Sequence, residues 1–136
     1  MTYLVDANVL SEPTKPAPQA NVIRWLRDHE KNIAVDPIVL GEIRFGILVL
    51  PRSARRRRLE NWFSLGIDRI HCLPWTSDTG LRWAQLLADL RTAGQTMPVK
   101  DSLIAATALV HGFTMATRNI RDFEKAGVRT MNPFDS

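Results

Sequence analysis

The sequence predicts an α/β domain built on a mostly parallel sheet of four or five strands. Two observations carry that expectation. Short apolar runs of strand character alternate with longer segments of helical periodicity, and parallel neighbours require helical crossovers between them. The 136 residues are 45% hydrophobic and 24% charged, which suits one compact domain over residues 1–136 with a substantial core and excludes a disordered chain.

The elements follow in order. Tyr3-Leu4-Val5 is a buried strand ending in Asp6, and the turn-forming types Asn8, Ser11, Glu12 and Pro13 place a loop after it. An amphipathic helix is expected over Asn21–Glu30, where Val22, Ile23, Trp25 and Leu26 lie between polar residues. Ile33-Ala34-Val35 is a second strand. Asp36-Pro37 then starts a helix, because Asp accepts free amide bonds and Pro suits the first helical position. This helix runs to about Leu50 with Ile38, Ile43, Ile47 and Leu50 as its apolar stripe, leaving Glu42 with no obvious partner on that side. A basic helix over Ser53–Leu65 buries Leu59, Trp62 and Phe63.

Arg69–Trp75 is read as a third strand, followed by a helix over Leu81–Arg91 capped from Thr76, Ser77 or Asp78 and stopped by Gly94. After Pro98 a helix covers Lys100–His111 and ends at Gly112. Phe113–Thr117 is a fourth strand and Val128–Met131 a short fifth.

Composition narrows the setting. The N-terminal residues lack the charged and apolar regions of a secretory signal, and no apolar run reaches the roughly 18 residues of a membrane span, so a cytoplasmic protein with no membrane partner is expected. The lone Cys72 cannot form an intrachain disulfide, and its Ile70-His71-Cys72-Leu73 setting suits a buried apolar role. Net charge is +4 with an isoelectric point near 9.8, and Arg52 with Arg55, Arg56, Arg57 and Arg58 supplies much of the excess. That run fits either phosphate contacts along a polyanion or a solvated helix face.

Ligands of open α/β sheets bind beyond the carboxyl ends of the strands. Four acids fall there: Asp6 after the first strand, Glu42 in the helix after the second, Asp101 opening a late helix, and Asp122 shortly after the fourth strand. Gathered in one pocket they repel one another and need a cation to stay ionised together. All-oxygen ligation selects a hard ion such as Mg²⁺, whereas one Cys and three dispersed His provide no zinc spacing. A divalent ion beside a phosphodiester polarises a phosphoryl oxygen and acidifies water, so the chemistry implied is phosphodiester hydrolysis. Each acid also has a structural reading: an exposed strand end for Asp6, a plain helix former for Glu42, a helix N-terminal residue for Asp101, and an Arg pair for Asp122.

At these positions the sequence resembles the PIN-domain family, in particular its toxin ribonucleases of the VapC and FitB type. The resemblance rests on Leu4-Val5-Asp6-Ala7-Asn8-Val9-Leu10-Ser11-Glu12, Gly41-Glu42-Ile43-Arg44-Phe45-Gly46, Asp101-Ser102-Leu103-Ile104-Ala105-Ala106-Thr107-Ala108, and Ala116-Thr117-Arg118-Asn119 with Asp122-Phe123. These four pieces stand in the family's order across nearly the whole chain. It implies a three-layer fold, endoribonuclease activity with Mg²⁺ or Mn²⁺, restraint by a cognate VapB/FitA-like antitoxin, and a homodimer that joins the antitoxin in a larger assembly. Asp6 and Asp101 match the metal ligands and Glu42 the third acid, while Asn8 and Ser11 match polar residues beside the first acid, and Thr117 adds a hydroxyl. Some relatives carry an acid where this chain has Asn119. An amide cannot take a proton, so Asp122 is preferred as the fourth acid with Asn119 as a polar contact. Arg55, Arg56, Arg57 and Arg58 are candidate contacts to RNA phosphates.

Other readings fit less well. A haloacid-dehalogenase-like phosphohydrolase needs a second Asp where Asn8 stands, and a receiver domain needs paired acids near the first strand end. A metal-free ribonuclease would need two of His29, His71 and His111 together. A PIN-fold binding module with little catalysis is the alternative from another class, and it would be marked by loss of a central acid.

Overall fold

A computed structural model describes residues 2–135. Five strands form one sheet, β1 (Tyr3–Val5), β2 (Ile33–Val35), β3 (His71–Cys72), β4 (Thr114–Ala116) and β5 (Thr130–Met131), in the order β3-β2-β1-β4-β5. Every neighbouring pair is parallel. Seven α-helices among the described residues flank it: α1 (Ala7–Leu10), α2 (Ala20–Asp28), α3 (Pro37–Leu48), α4 (Ala54–Leu65), α5 (Ser77–Thr92), α6 (Val99–His111) and α7 (Ile120–Lys125). The expected three-layer α/β fold with a parallel sheet is the one found.

The central strands are buried on both faces, as crossover helices require: Leu4, Val5, Ala34, Val35, Met115 and Ala116 are all at most 1% exposed. α6 is the most deeply sunk helix. Its small residues Ala105, Ala106 and Ala108 are buried, which lets it approach α5 and β4 closely. Gly112 ends it with φ 69°, a left-handed conformation that a side chain would strain.

Two expectations fail. The segment after β1 is not a loop: α1 begins there, with Val9 and Leu10 buried, and its single turn is too short to leave a periodic signal in the sequence. The expected strand over Arg69–Trp75 shrinks to His71–Cys72, because Ile67–Arg69 is a tight 3₁₀ turn and Pro74 lacks an amide for the ladder. α7 was not anticipated either; within its six residues only Phe123 is buried. α4 has no fully buried residue, so Leu59, Trp62 and Phe63 are half-buried against the core, and Cys72 is likewise half-buried.

The chain leaves β1 toward β2 and β3 on one side, while β4 and β5 lie on the other. The strand order therefore reverses between β1 and β4, and that switch point is where an open α/β sheet offers a crevice.

Candidate active site

The pairing of Val5 with Ala116 makes Asp6 and Thr117 the first residues beyond two adjacent strands, and the Asp6 amide donates to the Ala116 carbonyl at 2.9 Å. Register thus delivers the Thr117 hydroxyl to Asp6, where it donates to Oδ2 at 2.8 Å. Oδ1 of Asp6 accepts the Ala7 amide at 2.8 Å and caps α1. Asn8, one position further, donates from Nδ2 to Asp6 Oδ2 at 3.4 Å, and its Oδ1 accepts the Arg118 amide at 3.2 Å, tying the loop after β4 to α1.

The other acids come from three further segments. Asp101 lies in the first turn of α6 and is buried, and among the described residues its one side-chain hydrogen bond comes from the Asn119 amide to Oδ2, at 3.3 Å. That same Asn119 Nδ2 donates to Asp122 Oδ2 at 2.9 Å. Asn119 thus bridges the two carboxylates, and Asp122 also faces Lys125 at 3.6 Å. Glu42 reaches in from α3, with Oε2 paired to Lys100 Nζ at 2.5 Å while Oε1 is buried without a hydrogen bond. Ser11 caps the C-terminal end of α1 and lines the same depression as Glu42 and Asn8, without touching the acids.

The electrostatics are those of crowded carboxylates. Burial raises the Asp6 carboxyl above its ordinary range, opposed by the Thr117 hydroxyl and Ala7 amide, and the charge of Glu42 raises it further. Asp101 is raised chiefly by burial and next by the charge of Asp6, with Asp122 and Glu42 adding to it. Lys100 is held in its charged form above its usual range by the bond to Glu42 and by the charges of Asp101 and Asp6. Sequence reasoning passed over Lys100. A usable signal existed: a lysine in the first turn of a helix sits at the positive end of the dipole, an unfavourable place without a compensating anion.

An oxygen-only set of this kind suits a hard divalent ion. The buried, unbonded Glu42 Oε1 and the sparsely satisfied Asp101 are the acceptors such an ion would complete. Among the described residues no three acids, imidazoles or thiols close into a tight cage. Mg²⁺ needs none, since it is held by one or two carboxylates and keeps several waters.

Residues 3–128 match the PIN domain model. The chain belongs to the PIN-domain family. Among relatives it resembles the VapC ribonuclease Y4jK of Sinorhizobium fredii, 33% identical over 97% of both chains. It is also 30% identical to toxin FitB of Neisseria gonorrhoeae, over 96% of this chain and 97% of that one. The crystal structure of FitAcB from Neisseria gonorrhoeae superposes with a TM-score of 0.89 at 29% identity, covering 99% of this chain and 100% of the other. Within the PIN family the chain is of the VapC/FitB toxin type.

Of the candidate basic residues, Arg55, Arg57 and Arg58 are exposed on α4, whereas Arg56 is half-buried and bonded to Glu60 Oε1 and the Leu50 carbonyl at 2.8 and 3.1 Å. No described helix is long and apolar enough to cross a membrane.

Proposed function

We propose that this protein is the toxin of a type II toxin–antitoxin pair, an endoribonuclease that hydrolyses RNA phosphodiester bonds with Mg²⁺ or Mn²⁺. The observation that carries the reading is the convergence of Asp6, Glu42 and Asp101, from three distant segments, at the carboxyl edge of β1 and β4, where burial raises the proton affinity of Asp6 and Asp101, the charge of Glu42 raises both further, and the charge of Asp6 adds to the rise at Asp101. Relatives named as ribonucleases and toxins supply the substrate class and the biological role.

In this reading Asp6 and Asp101 hold the ion and Glu42 completes its surroundings. The ion, when bound, polarises a phosphoryl oxygen and makes water a better nucleophile. Thr117 and Ala7 fix the rotamer of Asp6, so the ligand does not have to be ordered during the reaction. Asp122, placed by Asn119 and partly exposed, is the proton acceptor of the site. Lys100, now paired with Glu42, carries positive charge beside the position of the scissile phosphate.

The antitoxin and a second copy of the chain are the expected protein partners. Phe45, Val49 and Leu65, all more than 60% exposed on α3, at its C-terminal cap and on α4, are the apolar side chains such contacts would cover.

Cleavage of a labelled RNA pool tests the proposal directly. Discrete cuts are expected with Mg²⁺ or Mn²⁺ and none with EDTA, Asp6→Asn or Asp101→Asn. EDTA-resistant cleavage, or full activity in both variants, would overturn it.

A further inference from the structure

The structure divides the arginine run of α4 into two faces. Arg52, Arg56 and Arg57 surround the helix start together with Ser53 and Glu60. Arg55 instead lines the groove between α1, α3 and α4, whose walls include Asn8, Glu42, Ile47, Leu59 and Trp62. One turn on, Arg55 and Arg58 flank an adjoining hollow with Thr14 and Pro16. The spacing explains the division, since residues three apart share a helix face with Cβ atoms about 5–6 Å apart. Arg55 and Arg58 make no hydrogen bond or ion pair among the described residues, whereas Arg56 is occupied by Glu60 and the Leu50 carbonyl.

We propose that the groove from Glu42 past Arg55 to Arg58 is a track for single-stranded RNA, with these two guanidinium groups on consecutive backbone phosphates. The inference rests on the nuclease reading for its occupant. Charge complementarity commits it to RNA: Glu42, the member of the acidic site that lines the groove, stands at one end, and the guanidinium groups of Arg55 and Arg58 lie further along, which suits a strand whose scissile phosphate reaches the ion while its flanking phosphates meet arginine. The half-buried Trp62 in the wall gives an unpaired base an aromatic surface on which to stack, a contact that a base-paired duplex cannot make. Arg52 and Arg57 point to the other face and take no part.

The test is binding of a fluorescent single-stranded oligoribonucleotide in EDTA across a KCl series, so that no cleavage intervenes. Each phosphate neutralised on a single strand contributes about 0.7 to the salt slope, so Arg55→Gln with Arg58→Gln is expected to lower it by about 1.4. Arg52→Gln with Arg57→Gln should leave the slope unchanged. If the slope falls as expected for Arg55→Gln with Arg58→Gln while Asp6→Asn cleaves normally in the separate assay with Mg²⁺, the track stands and the catalytic assignment fails. An equal loss from both arginine pairs would overturn the track in favour of diffuse attraction. An unchanged slope for Arg55→Gln with Arg58→Gln, with weakened binding of the antitoxin, would overturn it in favour of a protein-docking face.

Discussion

Asp6 and Asp36 occupy the same place in two adjacent units of the fold. Each follows a three-residue buried strand of the parallel sheet, each caps the next helix with its own carboxylate, and each is buried, at 6% and 0% exposure. Their surroundings differ. Asp36 accepts the Ile38 amide at 2.7 Å on Oδ1, and on Oδ2 the Trp75 indole at 3.0 Å and the Thr107 hydroxyl at 2.5 Å. Three neutral donors of the fold thus occupy its two oxygens. Asp6 has the Ala7 amide and Thr117 hydroxyl, yet burial raises its proton affinity and the charge of Glu42 raises it further, while its own charge raises that of Asp101. A buried acid at a strand end is structural when donors surround it and chemical when other acids do.

The comparison breaks most visibly in activity. Asp6→Asn and Asp101→Asn are expected to lower RNA cleavage at least about 100-fold, measured as initial rate per folded molecule. Asp36→Asn should leave that rate within a few-fold. A rate lost equally in all three would erase the distinction.

Stability should order them the other way. Asp36→Ala removes a helix cap and leaves the Trp75 and Thr107 donors buried without an acceptor, at a cost of about 3 kcal/mol in urea unfolding. Asp101→Asn, by contrast, should stabilise the metal-free protein by ~1 kcal/mol, near 3 °C in Tm, because it removes a buried charge from among like charges. The pH dependence follows from the same shift. The folded state holds the protons of Asp6 and Asp101 more tightly than the unfolded chain does. The contribution of these two acids to metal-free stability is therefore fully present below the ordinary carboxylate pKa and is lost as pH rises toward the elevated folded values. Asp101→Asn should flatten that fall in a series of melts.

A smaller effect is expected at Thr117. Thr117→Val removes the hydroxyl that lowers the Asp6 proton affinity, so the rising limb of the cleavage profile should move to higher pH with a rate loss of about tenfold at neutral pH. A profile that keeps its position would show that register, rather than this hydrogen bond, sets Asp6.

Much of this was legible in the sequence, for a physical reason in each case. The alternation of apolar strands with periodic helices yields the parallel sheet, and Asp36-Pro37 and Gly112 mark helix ends through local rules that tertiary context left intact. The four acids were placed because the carboxyl edge of a parallel sheet is known before its coordinates are. What escaped was nonlocal or too short. α1 is a single turn stabilised by burial of Val9 and Leu10, and α7 has one buried side chain. The Lys100–Glu42 pair joins residues 58 apart, and the two hydrogen bonds that Asn119 Nδ2 donates to Asp101 and Asp122 depend on α7, which the sequence did not reveal. Asn119 and Asp122, posed as alternatives for one position, lie side by side, the amide of the first donating to the carboxylate of the second.

Thermal melts with and without saturating Mn²⁺ test the contrast between the two aspartates most directly. An ion that binds only the folded state raises stability by about 2.7 kcal/mol at a hundredfold excess over its Kd. The native protein and Asp36→Asn should both gain a clear Tm increase on adding Mn²⁺, the second from a lower starting point, while Asp6→Asn gains none. An undiminished Mn²⁺ shift in Asp6→Asn, or its loss in Asp36→Asn, would contradict the account.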